Sequence, residues 1–174
     1  RYPLESHSLT DKLRDAMPES VVIVVSDITR PVPYATFLGE LISEIESAGV
    51  SPDSVTILIA TGMHRPSTRE ERLQMFGAAV CDRYRIVDHR AEAENELVTL
   101  SGESHSGRPI QLNKIFMEAG FRIITGLVEP HFMAGFSGGR KAVCPGLSSL
   151  ETVKAFHSFG FLDHPAARNG NLTD

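Results

Sequence analysis

Five side chains able to do acid–base, nucleophilic or anion-binding chemistry stand just past short apolar runs. Asp27 and Arg30 follow SVVIVVS (20–26), and His64 follows SVTILIA (54–60) through Thr61-Gly62-Met63. His131 follows FRIITGLV (121–128) through Glu129-Pro130, and Lys141 closes the glycine-rich loop FMAGFSGGRK behind it. In open α/β sheets ligands bind beyond the carboxyl ends of the strands, near a switch in strand order. Three separate strand exits therefore predict one shared rim for these five residues. Imidazoles titrate near neutrality and can give or take protons. A guanidinium can grip a carboxylate through two parallel bonds. A lysine amine can serve as a point charge or form a covalent adduct.

Each residue also has a plainer reading. Asp27 suits a turn as well as a site, and Arg30 before Pro31 suits an exposed surface. His64 and His131 lie on loops carried by a rigid scaffold, where function concentrates, and Pro130 stiffens the approach to His131. His157 falls on a predicted helix, where a packed or solvated imidazole is the default. His7, His89, His105 and His164 offer nothing beyond that default. Lys141 is open between phosphate binding, a covalent adduct and simple solvation. Glycines let backbone N–H groups approach an anion, so Gly138 and Gly139 beside it favour phosphate.

The loop meets neither familiar phosphate pattern. A P-loop needs G-x-x-x-x-G-K-[ST]. Counting from Gly135, the second glycine position holds Arg140, and Ala142 follows Lys141. G-x-G-x-x-G is absent too. His64, His131 and His157 show no metal-binding spacing such as H-E-x-x-H.

The elements that must position these residues alternate between strand and helix. The runs at 20–26, 54–60 and 121–128 predict strands buried on both faces, and RYRIVD (83–88) predicts a partly exposed one. YATFLGELISEIESA (34–48) spaces Phe37, Leu38, Leu41, Ile42 and Ile45 helically, with Gly49 as the stop. Ser67 and Thr68, three residues before Glu70 and Glu71, predict a capping box opening a helix through Met75. ELVTL (96–100) and RPIQLN (108–113) flank SGESHSG as a hairpin or excursion. NKIFMEAG predicts a short helix, and SSLETVKAFHSF (148–159) another, capped by Ser148 or Ser149. The sum is an α/β fold, a Rossmann-like three-layer domain with a mostly parallel sheet.

Composition bounds the function. The 174 residues fit one domain, with 41% hydrophobic and 22% charged residues, ordinary for a globular chain. A net charge of −5 gives no general electrostatic attraction to nucleic acid or an anionic membrane. Val21–Val25 is far too short to cross a bilayer. Cys81 and Cys144, two isolated cysteines, point to a reducing cytoplasm. The N-terminus lacks a signal-peptide core and an initiating Met, and the polar RNGNLTD supplies no closing element, so a piece cut at both ends is expected.

SDITRPVP, ILIATGMHRPST, VEPHFMAGFSGGRKAVCPG and ETVKAFHS, in this order, resemble the N-terminal domain of the nickel-dependent lactate racemase family over roughly Ser26 to Asn171. The resemblance implies a nickel pincer nucleotide, a pyridinium mononucleotide holding nickel through two sulfur arms and a ring carbon. It implies a thioamide tether at Lys141 and a further nickel ligand at His157, sixteen residues on. It makes His64 and His131 the acid/base pair and Arg30 the substrate-carboxylate anchor. Asp27, Gly138 and Gly139 become cofactor contacts. The implied reaction is racemisation or epimerisation of a small 2-hydroxy acid, lactate or similar, by transient hydride transfer to the cofactor through a planar 2-keto acid. The implied partners are cofactor-synthesis and nickel-insertion enzymes, with no nucleic acid and no membrane. Residues 1–174 would be an incomplete N-terminal catalytic and cofactor-binding domain, inactive without the family's C-terminal domain. Two other readings compete. One is a zinc-dependent hydrolase built on His64 and His131, the other a non-catalytic nucleotide- or anion-binding domain.

Overall fold

The computed structural model describes residue 3, residues 5–101 and residues 109–171. His105 and most of the SGESHSG stretch lie outside the described residues. The chain runs α1 (Leu9–Ala16), β1 (Val21–Ser26), α2 (Tyr34–Ser47), β2 (Val55–Ala60), α3 (Arg69–Phe76), α4 (Ala78–Arg83) and β3 (Arg85–Asp88). It continues with β4 (Leu97–Thr99), β5 (Gln111–Asn113), α5 (Lys114–Glu118), β6 (Phe121–Ile124), β7 (Pro130–His131) and β8 (Gly135–Phe136). Last come α6 (Arg140–Val143), α7 (Leu150–Phe156) and α8 (Phe159–Leu162).

The central sheet has four strands in the order β3-β2-β1-β6, all parallel. Its two faces are covered, as a parallel sheet requires. Val21, Ile23 and Val25 of β1 pack with Leu38, Ile42 and Ile45 of α2 and Met75 and Phe76 of α3. Val22 and Val24 face the other way, toward Leu58, Phe116 and Leu147. The alternation along β1 thus divides the core into two clusters and yields the expected three layers. Successive β1, β2 and β3 step one way across the sheet while β6 returns to the other side of β1. The order therefore switches between β1 and β6, where their carboxyl ends leave a crevice.

The expected capping box forms at Thr68, whose side chain accepts from Glu71 N while the Glu71 carboxylate accepts from Thr68 N. The excursion around the undescribed residues closes as an antiparallel pair, β4 with β5. One expectation fails. FRIITGLV is not a strand buried on both faces: β6 ends at Ile124 and sits at the sheet edge, with Arg122 and Ile124 exposed. An edge strand has one neighbour to hold it: its register with β1 stops at Val24↔Ile124, Thr125 adds a last backbone bond to Val24 O at 2.9 Å, and residues 126–128 leave the sheet. The helix expected over 148–159 is shorter, Leu150–Phe156 capped by Ser149. Among the described residues no helix is long and apolar enough to cross a membrane.

Candidate functional site

The β1 exit is built around Asp27. Its Oδ1 accepts from Thr29 N at 3.1 Å and Thr29 Oγ1 at 2.6 Å, fixing a tight turn. Its Oδ2 lies 2.5 Å from His64 Nδ1. The carboxylate is nearly buried, 7% exposed, whereas the His64 side chain is 57% exposed. Asp27 thus orients the ring from below and leaves Nε2 facing outward. The same turn brings Arg30 N to Asp27 O at 3.1 Å and leaves Arg30 on the surface. Below it, the buried Tyr34 hydroxyl accepts from Ser26 N at 2.5 Å, pinning the last strand residue before Asp27.

The β2 exit carries His64 on a turn closed by His64 N to Thr61 O at 2.9 Å, with Gly62 at φ +57. This loop is tied to the lysine segment through Gly146: Gly62 N donates to Gly146 O, and Gly146 N donates to Lys141 O. A β-carbon at Gly146 would lie 2.3 Å from Ala142 O, so only glycine allows that approach. A cleft of about 530 Å³ runs beside His64, between residues 62–66 and 89–93.

The glycine-rich stretch folds as a two-stranded hairpin, β7 with β8, followed by the single turn of α6 that holds Lys141. Gly138 has φ +69, and a β-carbon there would sit 3.1 Å from Leu127 O, so the chain after β6 and the lysine loop press together. Gly139 has φ +48 and opens α6. His131 lies in β7, its Nδ1 accepting from Met133 N at 3.4 Å and Ala134 N at 3.2 Å, its ring stacked on Phe132. His157 caps the C-terminal end of α7 rather than lying within it, and is exposed. Its Nδ1 donates to Val153 O at 2.8 Å, which leaves the Nε2 lone pair free to bind a metal.

The charges at this rim act on one another. Burial pushes the Lys141 amine below the ordinary lysine range, and Arg30 pushes it the same way, with Asp27 opposing. Burial also lowers His131, helped by the positive fields of Lys141, Arg30 and His157. Asp27, Arg30, His64, His131, Lys141 and His157 therefore belong to one interacting group, drawn from four separate chain segments. Of these, Asp27 has both oxygens engaged by protein, one of them by His64. Among the described residues no group of three or more His, Cys, Asp or Glu side chains is arranged to hold a metal.

Sequence reasoning missed Tyr34 and Gly146. Tyr34 reads as an ordinary helix-opening aromatic, and only the fold shows its hydroxyl at Ser26. Gly146 had a signal in Pro145-Gly146 shortly after the lysine, a turn dipeptide. His89, by contrast, is the packed histidine its default suggests. It is 1% exposed, with Nε2 donating to Ser148 O and Nδ1 accepting from Asn113 Nδ2.

A family model of the lactate racemase N-terminal domain matches residues 1–170. Lactate racemase of Lactiplantibacillus plantarum is 41% identical over 171 residues, 98% of this chain and 39% of its own length. Lactate racemase of Thermoanaerobacterium thermosaccharolyticum is 39% identical over 171 residues, 97% of this chain and 40% of its own. The chain thus spans about two-fifths of the length of these relatives. The structure of the T. thermosaccharolyticum lactate racemase apoprotein superposes with a TM-score of 0.90 at 37% identity, over 98% of this chain and 40% of that one. A crystal structure of a Thermotoga maritima protein has a TM-score of 0.70 at 24% identity, covering 95% of this chain and 43% of its own, a likeness of fold alone. With a family match over nearly its whole length and relatives near 40% identity, the chain belongs to the lactate racemase N-terminal domain family.

Proposed function

We propose that this chain is the cofactor-holding part of a 2-hydroxy-acid racemase or epimerase, with lactate or a close analogue as substrate. The observation that carries the reading is the single group formed by two histidines, Arg30 and a half-buried lysine at the β1/β6 switch point. The named relatives supply the substrate class.

The residues fit a lysine-tethered nickel pincer nucleotide. A metal whose other donors come from an organic ligand needs only one protein donor, and His157 offers a single outward Nε2. An amine held below its usual pKa is more often neutral and nucleophilic, the state an acyl-type linkage requires of Lys141. The close glycine packing around 138 and 146 keeps backbone near that lysine. When bound, the group would accept and return the hydride of the substrate carbon. The chain's own residues do the rest. Arg30 holds the carboxylate, so the reacting carbon can turn without departing. His64, oriented by Asp27, takes the hydroxyl proton at Nε2, and Asp27 stabilises the imidazolium that results. His131 handles the proton on the opposite side of the centre.

The test is a peptide mass spectrum of the full-length parent, co-produced with cofactor-building enzymes in nickel-containing medium. The expected result is a mass addition on Lys141, one nickel per chain, and interconversion of D- and L-lactate that Lys141→Ala abolishes. An unmodified Lys141, under conditions that load an active relative, would sink the reading.

A further inference from the structure

His64 and His131 are usually interchangeable in a two-base scheme, yet their surroundings here are opposite. His64 Nδ1 meets a carboxylate, Asp27 Oδ2, at 2.5 Å, and a carboxylate accepts only. His64 must therefore carry its proton on Nδ1 when neutral, leaving Nε2 as an acceptor. His131 Nδ1 meets two donors, the amides of Met133 and Ala134 at 3.4 and 3.2 Å. A nitrogen that accepts backbone N–H bonds cannot bear a proton, so neutral His131 carries it on Nε2.

We propose that the turn amides of Met133 and Ala134 hold neutral His131 as the Nε2–H tautomer, opposite to the Nδ1–H tautomer imposed on His64, so the resting site presents one hydrogen-bond acceptor and one hydrogen-bond donor instead of two equivalent bases. This rests on the two-histidine reading above and gives it a direction. A substrate hydroxyl can donate to His64 Nε2 when it points to that side and accept from His131 Nε2–H when it points to the other. A keto oxygen only accepts, so it suits His131 alone. Neutral His64 is thus matched to the 2-hydroxy acid over its 2-keto counterpart.

The proton inventory follows. His64 Nε2 takes the hydroxyl proton and becomes imidazolium against Asp27. For His131 to deliver a proton to an alkoxide it must first be imidazolium, since loss of Nε2–H from the neutral ring would leave an imidazolate. Protonation at Nδ1 expels the Met133 and Ala134 amides. A doubly protonated His131 and the closed 131–134 turn therefore exclude each other. The amides of Met133 and Ala134 act as positioning groups, because they set the ring's state without touching substrate.

The experiment is long-range proton–nitrogen NMR on the histidine-15N-labelled chain at a pH where both rings are neutral. Spectra of His64→Gln and His131→Gln assign the two patterns, and through-bond correlations to the ring carbons assign them if either variant fails to fold. His64 should show a protonated Nδ1 and His131 a protonated Nε2, with the Met133 and Ala134 amide signals shifting as His131 is titrated. A His131 bearing its proton on Nδ1, or averaging between nitrogens, would overturn the proposal. Because the readout needs neither cofactor nor turnover, it stands apart from the Lys141 mass test. A locked tautomer with unmodified Lys141 would refute the racemase reading alone, and a modified Lys141 with an averaged tautomer would refute this one alone.

Discussion

At the scale of single residues, the site depends on side chains that never meet a ligand. Tyr34 is the clearest. Its hydroxyl is the partner of Ser26 N, and its ring packs against Phe37 and Phe76 at 5.6 and 5.5 Å. Tyr34→Phe keeps the ring and removes the acceptor, leaving a backbone donor unpaired beside Asp27. Such a loss costs about 1–3 kcal/mol, measurable as a lower urea midpoint. It should also lower activity in the loaded parent, because Asp27 and His64 hang from that strand end. A variant as stable as the parent protein would show that water or another group replaces the hydroxyl without cost. Sequence alone pointed to the candidate residues here, since Asp27, His64, His131 and Lys141 all sit at strand exits or on the glycine loop. It did not disclose their partners. That Asp27 grips His64 follows from β1 and β2 being parallel neighbours, with Ser26 opposite Ala60, and no local pattern encodes that register.

At the scale of elements, α3 anchors the His64 loop. Its cap joins Thr68 to Glu71, and Glu71 also takes a forked pair of bonds from Arg65, at 2.6 and 2.9 Å, next to His64. Those bonds hold the Glu71 carboxyl at about 2, well below its ordinary range, with the Arg65 hydrogen bonds the largest cause. Thr68→Ala removes the cap oxygen and should cost about 1 kcal/mol, read by chemical denaturation. Thr68→Ser, which keeps the hydroxyl, should recover most of the loss. The capping box and the buried strands were legible because each rests on local rules, a three-residue spacing or an unbroken aliphatic run. The β7–β8 hairpin was not. Its ladder is only two residue pairs, and its shape depends on contacts from elsewhere. Gly170 N bonds Gly135 O, and a β-carbon at Gly135 would fall 1.9 Å from Asn171 O. The early end of β6 was equally hidden, because an edge position is a property of the whole sheet. Helices α1 and α4 were overlooked, although Ser8 ahead of Asp11 is a usable cap signal.

At the scale of the whole molecule, one buried and one half-buried imidazole make folding sensitive to mild acid. Burial lowers His89, with the Ser148 carbonyl opposing, and burial together with nearby cations lowers His131. Both stay neutral in the native state at pH values where an unfolded histidine, near 6.5, has taken a proton. The unfolded chain then binds more protons, so stability rises with pH across this window and falls as pH drops below about 6.5. Urea midpoints should therefore decline between pH 7.5 and pH 5.5, well above the range where Glu71 gains a proton. His131→Gln should shrink the decline. A flat profile would mean that neither ring resists protonation. The pairing of β1 with β6 has a consequence of another kind. Val21 meets Phe121 across a hundred residues of intervening chain, whereas Asp27 meets His64 across fewer than half as many. Closing the longer loop is the slower event. During synthesis the aspartate–histidine pair can assemble before residue 121 has been made, while His131, Lys141 and His157 must await the later segments. A ribosome stalled in that interval would display half of the site.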